Sequence, residues 1–299
     1  MQAQTVGFPA ALAQIKRDVD ALFEALLASP PDGRATLYEA MRYAAIGGGK
    51  RLRPLLVLAA CGLYHVDRQR ALRVGLAVEC IHAYSLIHDD LPCMDDDDLR
   101  HGKPSLHRAY DESTAILAGD SLHALAFEVL ADDQTHEDPF VRIELIQELA
   151  RAAGPGGMAG GQMMDLLAEK ASLDLAAVTR LQQLKTGALI TFCLEAGAIM
   201  GRVPPEGRSR LRGYARDVGL AFQIIDDLLD AEGEEAKTGK RVNKDKAAGK
   251  ETFVSLLGAD RARQQANLLV DQAVEFLQSF GHEADLLRAI ARFAVERDH

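Results

Sequence analysis

The chain has 299 residues, 48% of them hydrophobic, which is enough apolar content for a full core without disulfide or metal staples. With 34 Lys and Arg against 44 Asp and Glu, its net charge of −10 argues against a nucleic-acid or anionic-membrane partner and in favour of small-molecule ligands. Cys61, Cys80, Cys93 and Cys193 show no CxxC spacing, so reduced thiols in a cytoplasmic protein are expected rather than disulfides or zinc ligation.

The first residues, MQAQTVGFPAALAQIKRDVD, lack the basic start and apolar core of a signal peptide. Prolines are sparse and leave long uninterrupted tracts, none alternating at a period of two, so an all-α fold of about ten helices is expected. No internal repeat and no long linker divides the chain, and a single domain over residues 1–299 is the expectation.

The first chemically marked segment is GGGKRLRP, residues 47–54. Gly47, Gly48 and Gly49 let a backbone approach an anion, and Lys50 and Arg53, three apart, are expected on one side of a helix beginning there. The segment reads as a phosphate cradle but not as a Walker A loop, because GxxxxGK[ST] is absent. A basic helix start on the surface is the alternative.

Residues 74–91 form the longest apolar stretch, interrupted by Glu79, His82 and His88 and ending in Asp89 and Asp90, which reads as a helix buried in protein rather than a membrane span. His82 lies seven residues before Asp89 on nearly the same face, although a lone histidine there is by default a core residue. Asp89 and Asp95 would stand about 240° apart on an ideal helix and so cannot share an ion unless it breaks. Pro92 supplies the break, disfavouring helix at Leu91 and letting the chain swing Asp95 back towards Asp89. Arg100 and His101 follow at once.

Further along, VRIELIQELARAAG places Val141, Leu145, Ile146 and Leu149 on one helix face before Gly154 and Pro155 stop it. GGQMMDL offers Gln162 and Asp165 one turn apart, and Lys185 and Thr186 sit in KTGALI between apolar runs. In FQIIDDLLD, Asp226 and Asp230 are about 40° apart on a helix, with Gln223 one turn earlier, so Gln223, Asp226, Asp227 and Asp230 are expected to project together. A solvated helix end is the alternative for an isolated DDxxD, but carboxylates leaving a buried helix are costly without a counterion. Residues 231–251, charged and glycine-bearing, suit a flap over a charged site and include Lys240.

Two dense aspartate clusters on one acidic chain repel unless hard cations sit among them, and magnesium is the natural candidate. It retains waters and completes its shell with substrate phosphate oxygens, which points to a phosphate or diphosphate ligand.

Taken together, GGGKRLRP, VECIHAYSLIHDDLPCMDDDDLR, AILAGD, GGQMMDL, KTGAL, GLAFQIIDDLLD and the lysine-bearing TGK and AGK resemble, in order and spacing, the trans-isoprenyl diphosphate synthase family, most closely its bacterial farnesyl diphosphate synthase branch. The resemblance implies an all-α bundle around a deep central cavity, normally a homodimer, with the two clusters facing each other across its mouth. It implies three magnesium ions bridging them to the diphosphate of an allylic substrate, dimethylallyl or geranyl diphosphate, which is condensed with isopentenyl diphosphate. Asp89, Asp90 and Asp95 match the first metal motif; Asp226, Asp227 and Asp230 match the second. Arg100, Lys185 and Lys240 match residues that hold the allylic diphosphate, Thr186 and Gln223 match positions near the developing cation, and Gly49, Lys50, Arg53 and His82 match the isopentenyl diphosphate pocket.

His101 stands where many members carry a second arginine contacting isopentenyl diphosphate; an unperturbed imidazole is neutral above about 6.5, so that contact is expected to weaken at alkaline pH. Tyr84 and Ser85, about one turn below Asp89, are expected to set product length, an aromatic at this place accompanying a fifteen-carbon product in the resembling family. Geranyl or geranylgeranyl diphosphate is the alternative product. A terpene cyclase fits less well, because aromatic residues are only 5% of the chain and the second, basic cradle would be idle. A noncatalytic cation-binding helical protein would have no use for Lys50, Arg53, Arg100 and Lys185.

Overall fold

A computed structural model of the chain describes residues 7–168, 172–232 and 251–297. Lys240 and most of the expected flap lie outside these residues. The helices in chain order are α1 Phe8–Leu26, α2 Ala35–Ala45, α3 Leu52–Gly62, α4 Arg68–Asp89, α5 Leu106–Ala109, α6 Glu112–Ala131, α7 Pro139–Ala153, α8 Met158–Ala168, α9 Leu175–Gln182, α10 Ala188–Met200, α11 Ser209–Glu232, α12 Phe253–Leu257, α13 Ala259–Phe276 and α14 Asp285–Glu296. The fold is all-α. It has more helical segments than the proline spacing predicts, because α5 and α12 are single turns that no periodicity reveals.

Side-chain caps start several of these helices. Asp67 accepts from the Gln69 and Arg70 amides at 3.0 and 3.1 Å to begin α4, Asp111 accepts from Thr114 at 2.8 Å to begin α6, and Asp138 precedes Pro139 at the start of α7. On α7, Val141, Leu145 and Leu149 are buried and Ile146 packs against the core, the face the sequence predicts.

Helices α3, α4 and α10 run through the interior, and buried apolar side chains from Ile15 to Ala294 form one connected cluster. Close approach at the centre needs glycine: a Cβ on Gly197 of α10 would stand 2.6 Å from the Cβ of Ala60 on α3, nearer than two carbons pack. Helix α4, expected as a buried helix, is buried through most of its middle, from Ala71 to Ala83, with the charged Arg68, Arg70 and Arg73 at its start, and α6 packs along it. Among the described residues, α6 is the one helix long and apolar enough to cross a bilayer, by length and composition.

Two local departures from regular helix position the site. Leu99–Arg100 and Lys103–Pro104 pair as a short antiparallel hairpin whose turn residues, His101 and Gly102, both have positive φ (53° and 75°), the signature of a type I′ turn. Between α9 and α10, Gln183–Gly187 forms one π-helical turn, a feature often found at functional sites, and it carries Lys185 and Thr186.

Candidate active site

The first aspartate cluster is shaped by the break expected at Pro92. Helix α4 ends at Asp89, and the chain doubles back so that the Asp95 amide donates to the Asp89 carbonyl at 2.8 Å and the Asp97 amide to the Asp90 carbonyl at 3.2 Å. Asp96 takes a left-handed φ of 49° to close the turn, a conformation aspartate tolerates. Asp95 is thereby returned to the end of α4.

The two leading aspartates differ in environment. Burial pushes the Asp89 carboxyl up to about 6, with Lys185 opposing and the Asp95 and Asp90 charges adding to the rise. Asp90 is only 2% exposed and is taken up by Arg100, whose Nε donates to both carboxylate oxygens at 3.1 and 3.2 Å while Nη2 also reaches Oδ1. The same Nη2 lies 3.5 Å from Asp97. Asp90 therefore anchors the arginine, whereas the Lys185 and Arg100 charges offset only part of the cost of burying Asp89.

Lys185 reaches the site from the π turn and donates to Asp165 of α8 at 2.8 Å. The turn can approach α8 because Gly161 has no side chain; a Cβ there would stand 2.5 Å from the Lys185 Cα. Gln162, beside it, is buried with neither amide atom hydrogen-bonded, so an incoming polar group has a donor and an acceptor to meet. Thr186 shares the turn and is half-buried.

The second cluster is less uniform than its spacing predicts. The Asp226 side chain is 52% exposed and pairs with Arg297 near the C-terminal end at 2.9 Å, while Gln223 Nε2 lies 3.4 Å from its other oxygen. Asp230 is half-buried on the same helix. Asp227 does not project with them: it is buried, and its carboxylate accepts from the Phe253 amide at 2.9 Å, at the start of α12. Successive helical residues diverge by about 100°, which turns Asp227 towards that neighbour.

In the basic segment, Lys50 and Arg53 do not share a helix as expected. Gly47, Gly49 and Arg51 have left-handed φ values of 76°, 67° and 54°, so a loop carries Lys50 and α3 begins only at Leu52. Arg53 Nη1 donates to His82 Nε2 at 3.0 Å. Burial and the neighbouring Arg53 push the imidazole well below its ordinary value, so His82 is neutral and its Nε2 acts as the acceptor. His101 rests on the glycines: a Cβ on Gly48 would lie 3.2 Å from its Cδ2, and one on Gly49 3.7 Å from its Nε2. Lys50 Nζ sits 5.9 Å from the Phe293 ring centroid.

On α4, the Tyr84 ring makes edge contacts with His88 at 5.8 Å and with His123 of α6 at 4.9 Å. Ser85 turns its hydroxyl to the His82 carbonyl, 2.9 Å away. Nothing in the sequence marks Arg297 or His123 for this site, since neither stands in a patterned segment. Among the described residues no three His, Cys, Asp or Glu side chains converge on one metal-sized point. Asp89, whose carboxyl burial makes harder to ionise, and Asp95, returned to the end of α4, form an oxygen-donor pair suited to a hard cation that takes its remaining ligands from water and substrate.

A polyprenyl synthetase family profile matches residues 34–292. The farnesyl diphosphate synthase of Escherichia coli is 42% identical over 300 residues, covering 98% of this chain and all of that protein, and that of Bacillus subtilis is 42% identical over 88% of this chain and 90% of its own length. The apo crystal structure of an FPP/GFPP synthase from Zymomonas mobilis superposes with a TM-score of 0.89 at 59% identity, covering 96% of this chain and 98% of that one. A geranyltransferase from Helicobacter pylori, solved with magnesium and isoprenyl diphosphate, matches with a TM-score of 0.83 at 31% identity over 96% of this chain and 98% of its own. The chain belongs to the polyprenyl synthetase family and is a prenyltransferase.

Proposed function

We propose that this prenyltransferase condenses isopentenyl diphosphate with dimethylallyl or geranyl diphosphate, head to tail, to give (2E,6E)-farnesyl diphosphate and diphosphate. The observation that carries the reading is the grouping of Lys185 and Arg100 around the buried Asp89, together with a separate cationic segment at residues 47–53. Two anion sites beside one carboxylate pair suit a reaction of two diphosphates.

In this reading Arg100 and Lys185 hold the allylic diphosphate, together with Lys240, and Asp90 and Asp165 fix the directions of the first two. Asp89 and Asp95 on one side and Asp226 and Asp230 on the other would hold magnesium, expected as three ions, which when bound would offset the negative charge that develops on the departing diphosphate. That the Helicobacter relative was solved with magnesium and isoprenyl diphosphate supports this ion. Lys50, Arg53, neutral His82 and His101 seat isopentenyl diphosphate so that its double bond faces the allylic carbon. The proton lost as the new alkene forms goes to the departing diphosphate. Thr186, Gln223 and the unpaired amide of Gln162 present dipoles to the cation.

The chain is read as one domain because a single apolar cluster spans it. A homodimer is the assembly that best accounts for α6, whose Ile116 and Leu117 are 45% and 56% exposed. Asp120 and Glu128 are also exposed on that helix, which favours a second copy over lipid as its cover. A longer product is the second reading, favoured by the similarity to the FPP/GFPP synthase.

The test is incubation with magnesium, isopentenyl diphosphate and either allylic substrate, followed by sizing of the products. No condensation, or loss of none of it in folded Asp89→Ala and Asp226→Ala, would refute the reading.

A further inference from the structure

Arg51 lies between the two cations assigned to the isopentenyl diphosphate pocket, yet its own side chain points into the protein. Arg51 is 4% exposed and its guanidinium is shared among three elements: Nη1 donates to Glu79 Oε1 of α4 at 2.6 Å, and Nη2 donates to Asp20 Oδ1 of α1 at 2.7 Å and to the Ala45 carbonyl at the end of α2. Glu79 is as deeply buried as the arginine. The backbone at Arg51 is left-handed, φ 54°, a conformation that non-glycine residues hold only where the surroundings over-determine it.

These contacts have a geometric consequence for the loop. Glu79 and His82 are three residues apart and lie one above the other along α4. Glu79 takes Arg51 and His82 takes Arg53, so the same stripe of α4 grips the loop at two successive points. The left-handed step at Arg51 separates the direction of its side chain from that of Lys50, which lies over Phe293 instead.

Stability alone does not account for this arrangement. A buried ion pair repays its desolvation poorly, and apolar residues of similar volume commonly serve a core as well or better. What the pair does secure is one conformation of the backbone that carries the substrate-facing cations.

We infer that Arg51 is a positioning residue for isopentenyl diphosphate: anchored by Glu79, Asp20 and the Ala45 carbonyl, it sets the left-handed step that fixes Lys50 and Arg53 relative to each other. This rests on the assignment of Lys50, Arg53 and His82 to that substrate made above.

The experiment is steady-state kinetics with isopentenyl diphosphate and geranyl diphosphate varied separately, alongside thermal unfolding. The variants are the double substitution Arg51→Met with Glu79→Leu, which replaces the ion pair by apolar volume; Arg51→Lys, which keeps the charge but loses the fork; and Asp20→Asn, which weakens one anchor at a half-buried position. The double variant is expected to unfold near the wild-type temperature, with KM for isopentenyl diphosphate raised about tenfold and KM for geranyl diphosphate within about twofold. Arg51→Lys should fall between it and wild type, and Asp20→Asn should raise the first KM about two- to threefold.

Equal rises in both Michaelis constants, or none in a folded double variant, would overturn the inference. Should the double variant not fold, an Asp20→Asn enzyme with unchanged KM for isopentenyl diphosphate would do so. Absence of condensation by the wild-type enzyme would instead count against the assigned reaction, so the two failures are distinct.

Discussion

Asp89→Asn should make the metal-free protein more stable while removing its activity. Burial raises the carboxyl from 3.8 to about 6, so the folded state binds that proton more tightly than the unfolded state does. Below about pH 4 the carboxyl is protonated in both states and costs nothing; stability is lost as pH rises from about 4 to about 6, and the full cost is present above that. At about 1.36 kcal/mol per pH unit the cost approaches roughly 3 kcal/mol, and partial solvation of the half-buried carboxylate brings the expected figure to about 1 to 3 kcal/mol. Asparagine has nearly the same shape and no charge to bury. In urea unfolding with a chelator at about pH 7.5, Asp89→Asn should therefore gain about 1 to 3 kcal/mol over wild type, with most of the gain gone at about pH 4.5. Added magnesium should stabilise the wild type more than the variant. A variant no more stable than wild type at the higher pH, or one whose advantage is the same at both, would refute the reasoning.

Gly161→Ala drives a methyl into the backbone of the π turn, which cannot yield as a side-chain tip does; a loss of about 2 kcal/mol or more on unfolding and a fall in kcat are expected, and a variant with wild-type values would count against the close packing of α8. Tyr84→Ala removes the ring lodged between His88 and His123 and should lengthen the main product; unchanged chain length on product analysis would dismiss it as a wall. With His101 against the glycine loop, KM for isopentenyl diphosphate should rise from acidic to alkaline buffer and flatten in His101→Arg. Identical profiles in the two proteins would remove that role.

The helical class and the broken acidic helix were readable because their causes are local. Pro92 acts on its immediate neighbours, and the apolar face of α7 repeats within fifteen residues. The behaviour of Asp227 was not readable, since its partner is a backbone amide at Phe253, beyond a long intervening segment. The placement of Lys50 failed for a related reason: helix periodicity was carried two residues too far back, and nothing in the letters KR reveals that Arg51 is left-handed until Glu79 and Asp20 are seen to hold it. The hairpin escaped notice because His101–Gly102 replaces the usual Asn-Gly and each strand is two residues long. The π turn is built from residues equally at home in an ordinary helix.

That turn joins α9 and α10 into one rod from Leu175 to Met200 containing an extra residue relative to a regular spiral. Deleting a single amino acid elsewhere in the rod would swivel everything beyond it by about 100° and drag the buried side of α10 out of the interior. Within Gln183–Gly187 the same deletion would merely iron out the widening, leaving both flanks in phase. Length variation among relatives at this spot would thus be silent for architecture and felt only by the lysine and threonine that the bulge pushes forward.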